Sequence, residues 1–228
     1  MILNKKDLSI LECFSHINPS IQFKEGTVQK TVSPTKSILA KAEMSSAFEK
    51  DFAIYDLPRF IRTLNIARVS GDFEIDVQLH DNYAQITHGN KLSSKYYFCA
   101  PDTIFSINNL KTQEDLVLPS VDAKFSLPSE VYNKISKAIS VFGVNSILIS
   151  GFDGKLVIET YDIQKRINDG MRLELGETNK TFRCVISNDN LGSKILPIDY
   201  TVSISESFIM LQGMTEKVTY WIAPTSEG

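Results

Sequence analysis

Apolar residues recur along this chain with two different periods, and the two alternate in blocks. Residues 5–17 set Ile10, Leu11, Phe14 and Ile17 on one side and Lys5, Ser9, Glu12 and His16 on the other, which predicts an amphipathic helix. A second helix is predicted from Asp56, a good N-cap, to about residue 67, with Leu57, Phe60, Ile61 and Leu64 at the i, i+3, i+4, i+7 spacing. A third lies in LPSEVYNKISKAISVFG (127–143), where a proline opens and a glycine closes a stripe of Val131, Ile135, Ala138, Ile139 and Phe142. A short fourth is expected after Asn188, with Leu191, Ile195 and Leu196 inward and Pro197 as its stop.

Between these helices the period is two. FEIDVQLHD (73–81) sets Phe73, Ile75, Val77 and Leu79 against Glu74, Asp76, Gln78 and His80, as a strand with one buried face requires. SILIS, KLVIETYD, MRLELG, KTFRCVIS, DYTVSISE, SFIMLQG and KVTYWIA behave alike in the second half, with turns such as HGNK (88–91) and GFDGK (151–155). Helix, strands, helix, strands fills residues 5–110, and the same order fills 127–222. This repeated layout predicts two similarly organised domains, 1–110 and 111–228, with a connector at about 111–126.

Composition narrows the class. The 228 residues are 43% hydrophobic and 22% charged, the balance of a soluble globular protein. The N-terminal MILNKKDLSILECF lacks a signal-peptide layout and no apolar run is long enough to span a bilayer, so a cytoplasmic site is expected. Cys13, Cys99 and Cys184 are widely spaced and form no CxxC pair; each is expected to pack as a small apolar residue. His16, His80 and His88 lack metal-ligand spacing, and the chain has no GxSxG, P-loop or post-strand GxGxxG motif. Glu74 and Asp76 follow strand alternation and read as a solvated sheet face. A protein without catalysis, cofactor or metal is expected.

Charge is distributed unevenly. The four predicted helices carry eight basic residues (Lys5, Lys6, Arg59, Arg62, Arg68, Lys134, Lys137 and Lys194) and five acids (Asp7, Glu12, Asp56, Glu130 and Asp189). The chain as a whole has net charge −3, so a surplus of three on the helices leaves −6 elsewhere. Lysine and arginine are good helix formers, and solvated helix faces are commonly charged. The same pattern suits a positive surface made only of helices, offered to a polyanion.

DFAIYDLPRF (51–60), followed by its basic helix, resembles the corresponding segment of the sliding clamps of T-even type bacteriophages, the processivity factors of the replicative DNA polymerase. The likeness runs colinearly through SLPSEVYNKISKAISVFGVNSILIS (126–150) and GFDGKLVI (151–158). It implies an α+β DNA-clamp fold of two similar domains, each with two helices packed on antiparallel sheets. It also implies a homotrimeric ring, closed head to tail, that encircles duplex DNA without regard to sequence, and the eight basic residues become candidates to face its phosphates. Implied partners are the replicative DNA polymerase, an ATP-driven clamp loader and late-transcription factors; no membrane is involved.

The resemblance further implies a pocket for partner peptides near the connector. Leu116, Val117, Leu118 and Pro119 there, and Tyr220, Trp221, Ile222 and Pro224 near the C-terminus, are its candidate lining, while Trp221 reads at least equally as completing a strand and packing in the core. RVSGDFEIDVQ (68–78), YYFCA (96–100) and MRLELG (171–176) are candidate edge strands for pairing between subunits. The alternative readings are an oligomeric β-rich phage structural protein that does not encircle DNA and, third, an enzyme with a dispersed carboxylate site.

Overall fold

The computed structural model describes residues 1–66, 74–88, 92–107, 110, 115–118, 120–164 and 169–225. The chain divides into two compact units, Met1–Glu114 and Asp115–Gly228.

The first unit runs β1 (Ile2–Leu3), α1 (Lys5–Ile17), β2 (Ile21–Phe23), β3 (Gly26–Val32), β4 (Ile38–Phe48), β5 (Phe52–Ile54), α2 (Leu57–Ile66), β6 (Ile75–Leu79), β7 (Tyr83–His88) and β8 (Leu92–Tyr97). One sheet has the order β1-β6-β7-β8, while β3 pairs with β4 and β2 with β5, all antiparallel. The second unit runs β9 (Ala123–Leu127), α3 (Ser129–Phe142), β10 (Ser146–Phe152), β11 (Lys155–Tyr161), β12 (Arg172–Glu177), β13 (Phe182–Ser187), β14 (Tyr200–Ile204), β15 (Ile209–Gly213) and β16 (Val218–Ile222). Its pairings are β12-β11-β10-β13 and β9-β14-β15-β16. Strand, helix, four strands, a crossing segment and three strands thus occur twice with corresponding pairings, except that β10 pairs with β11 whereas β2 and β3 lie in separate sheets. The stretch expected as connector ends in strand: Ala123–Leu127 is β9 and pairs with β14.

The predicted helices form where capping and burial agree. In α1 the Asn4 side chain accepts from Asp7 N while the Asp7 carboxylate accepts from Asn4 N, a reciprocal capping box. Ile10, Leu11, Phe14 and Ile17 are buried as the stripe required, together with Leu8 and Cys13. Asp56 Oδ1 accepts from Arg59 N at 2.8 Å, so Asp56 caps α2, and Leu57, Phe60, Ile61 and Leu64 are its buried residues. Gly143 closes α3 at φ +60°, a left-handed C-cap. The buried face of α3 differs from the expected stripe. Tyr132, Ile135, Ala138 and Ile139 are inside, whereas Val131 is half-buried and Phe142 exposed. The Tyr132 hydroxyl donates to Gly192 O at 3.0 Å, a bond that satisfies the polar end of a buried ring.

The fourth predicted helix is absent. Residues 188–194 make two 3₁₀ turns, Asn188–Asn190 and Gly192–Lys194. Gly192 sits at φ +63°, outside the right-handed α region, so a continuous helix cannot pass through it. Leu191, Ile195 and Leu196 are nevertheless buried, as the pattern demanded.

Phe23 stacks on Phe48 and Phe52, both with ring centroids at 4.8 Å, and Phe52 meets Phe98 at 4.7 Å in the first core. In the second, Tyr200 and Tyr220 meet edge to face; the Tyr200 hydroxyl donates to Leu196 O and the Leu196 amide to the Tyr220 hydroxyl. In β6, Ile75 and Val77 are buried while Asp76 and Gln78, with Glu74 just before the strand, are exposed. Phe73 and the HGNK turn beyond His88 lie outside the described residues.

Candidate nucleic-acid and partner surfaces

α1 and α2 pack on each other, so their outward faces adjoin. Arg59 and Arg62 are three apart on α2 and both exposed; Lys5 is exposed and Lys6 half-buried at the start of α1. Neither Arg59 nor Arg62 has an ion-pair partner among the described residues, and Glu12 is the exposed acid of α1. Asp7 does not subtract from this face. It is fully buried, its two oxygens accepting from Asn4 N and Ser45 N. Its capping role removes a negative charge from a surface where the sequence counted one. Ile66 is an exposed apolar residue beside Arg62. Arg68 lies outside the described residues.

In the second unit Lys134 and Lys137 share the exposed side of α3. Lys134 Nζ lies 2.6 Å from Glu130, whose carboxyl is held below its usual range by that hydrogen bond, so the Lys134 charge is partly compensated. Lys137 has no such partner among the described residues. Lys194 Nζ donates to the Asp189 carbonyl within the 3₁₀ segment, whose Gly192 is tied to α3 through Tyr132. Behind α2, the Tyr96 hydroxyl donates to Asp56 O. Burial first, and the Asp56 carboxylate second, push its pKa upward, so it stays a neutral donor.

The expected partner pocket separates into core and surface. Tyr220 and Ile222 are fully buried and Trp221 nearly so; all belong to β16, and Tyr220 and Ile222 cannot touch a partner. Two apart on the strand, Tyr220 and Ile222 share a face that packs into the second unit's core, so neither belongs to a partner pocket. Exposed apolar surface is supplied instead by Leu116 and Val117, the latter 85% exposed, with Leu118 half-buried; Pro119 lies outside the described residues. Trp221 Nε1 donates to Leu116 O at 3.0 Å, which joins the two candidate segments. Pro224 is half-buried and lines a cleft of about 380 Å³ with Asp122, Cys184, Val185, Ile204 and Glu206. Burial, then the Asp122 carboxylate, pushes the Cys184 thiol up to about 12.

β8 and β12 end their sheets, so YYFCA and MRLELG do supply edge residues. FEIDVQ does not: β6 lies between β1 and β7. The three cysteines are free, Cys13 and Cys184 being buried. Among the described residues no helix is long and apolar enough to cross a membrane, and no cluster of His, Cys, Asp and Glu is placed to hold a metal.

A family model described as DNA polymerase processivity factor matches residues 4–97. The sliding clamp of Vibrio phage KVP40 is 26% identical over 215 residues, covering 90% of each chain. That of Escherichia phage RB69 is 26% identical over 223 residues, covering 96% of this chain and 90% of the relative. The crystal structure of PCNA from Thermococcus kodakaraensis superposes with a TM-score of 0.73 over 99% of each chain, at 16% identity. The chain is thus similar to the sliding clamps of T-even type bacteriophages over nine-tenths of its sequence, and it has the two-domain α+β clamp fold.

Proposed function

We propose that this chain is a processivity clamp, a homotrimeric ring without catalytic activity that encircles duplex DNA and tethers the replicative DNA polymerase. The observation that carries this reading is the similarity to phage sliding clamps across 90% or more of the chain, on a fold shared with PCNA. That similarity favours it over a β-rich structural protein. Exposed cations stand on α1 and α2 in the first unit and on α3 in the second, in a chain of net charge −3. Lys5, Lys6, Arg59, Arg62, Lys134, Lys137 and Lys194 face the phosphates.

A mild potential suits the task. Each tight phosphate contact releases counterions and adds affinity, and strong affinity would impede sliding. Long, flexible side chains give a sequence-independent field, and retention comes from enclosure. Closure is head to tail, with β8 of one copy and β12 of the next as complementary edges. An ATP-driven loader opens the ring, and the exposed strap at Leu116–Leu118 receives polymerase and late-transcription factors in the host cytoplasm.

Simultaneous Arg59→Glu, Arg62→Glu and Lys137→Glu tests the DNA reading. Loader-dependent stimulation of the polymerase is expected to fall at least about ten-fold, with the melting temperature unchanged, because each reversal turns an attraction for phosphate into a repulsion. Unaltered stimulation from a normally folded triple variant refutes it.

A further inference from the structure

We infer that Lys180 and Trp221 act as two pins that hold the described residues of the strap, 115–118 and 120–122, and that this holding positions the strap for the polymerase. The inference rests on the proposed use of the strap as the partner site. Trp221 Nε1 donates to Leu116 O at 3.0 Å near the start. At the far end Lys180 Nζ donates to Val121 O at 2.7 Å and to Asp122 Oδ1 at 3.1 Å, while the Asp122 amide donates to Ile204 O at 2.8 Å. Between the pins stand Val117, 85% exposed, and Ser120, also exposed. Asp115–Leu118 is neither helix nor strand, and these long-range donors help to order it.

The pins are themselves rigidly held. Trp221 is buried within β16. Lys180 lies in the turn between β12 and β13, where its carbonyl abuts Gly151; a Cβ at Gly151 would stand 2.3 Å from Lys180 O and 2.7 Å from the Phe182 ring. The end that Lys180 holds also borders the cleft, since Asp122 lines it beside Ile204 and Pro224. A strap fixed at both ends offers Val117 and Leu118 in one arrangement, so an extended apolar segment of the polymerase docks without first ordering its site.

Lys180→Met, Lys180→Arg, Trp221→Phe and Val117→Asp separate pinning from contact. The readouts are hydrogen exchange of residues 115–122 in the clamp alone, melting temperature, and affinity for the replicative polymerase encoded by the same genome. Lys180→Met and Trp221→Phe are expected to speed exchange about ten-fold and weaken polymerase binding about five-fold, the scale of one partly exposed hydrogen bond. Lys180→Arg restores both, and Val117→Asp weakens binding without changing exchange. Unchanged exchange in Lys180→Met and Trp221→Phe, or faster exchange with undiminished affinity, overturns the pins while Val117→Asp still upholds the strap as the site. Full affinity in Val117→Asp overturns the site and the pins together.

Discussion

Asp7→Ala should cost the protein about 3 kcal/mol, far more than a first-turn acid on a surface helix ordinarily contributes. The carboxylate is fully buried and accepts two backbone amides, Asn4 N at 3.0 Å and Ser45 N at 2.8 Å. Hydrogen bonds to a charged acceptor contribute about 1.5–3 kcal/mol each, and solvent reaching the freed amides recovers part of that. Lys5 and Lys6 raise the stake, because they place two cations at the positive end of the α1 dipole and Asp7 is the acid of that turn. The same capping box fixes where these lysines stand. At roughly 3 °C per kcal/mol for a chain of this size, melting should fall by about 9 °C. Asp7→Asn keeps the volume but turns an amide donor toward a backbone N–H, so it should recover less than half of the loss. Chemical denaturation of both variants is the assay. A cost below about 1 kcal/mol for Asp7→Ala would refute the argument that the buried carboxylate anchors α1 to β4.

The remaining expectations concern the second unit. Gly151→Ala should destabilise by about 2 kcal/mol or more, since its methyl would overlap Lys180 O and Phe182; a parental melting temperature would contradict the packing. Cys184, pushed up to about 12, should stay a protonated thiol and resist alkylation at pH 8 while half-buried Cys99 reacts, as mass spectrometry of the labelled native protein would show. Because its folded pKa lies above the unfolded one, the Cys184 contribution is complete below about pH 9 and is lost between about pH 9 and 12. A denaturation series across that window with Cys184→Ser as reference checks the sign.

Local pattern carried a long way here because helices and strands bury one face at a fixed period. From the sequence alone come α1, α2, the alternation of β6, the Asp56 cap and the segregation of basic residues onto helices, each decided by neighbours within a turn or two. Folding decided what depends on distant residues. Tyr132 rather than Val131 faces the core because Gly192 O, sixty residues away, accepts its hydroxyl. Residues 188–194 obey the apolar pattern yet fail as a helix, since Gly192 takes a positive φ that composition leaves open. Asp7 counts as a surface charge until Ser45 N is brought to it across 38 residues. Trp221 and Leu116 are 105 residues apart, and Lys180 and Asp122 are 58 apart. No periodicity spans such separations, so the pins and the burial of Tyr220 and Ile222 exist only in the folded chain, where packing selects which polar atoms meet.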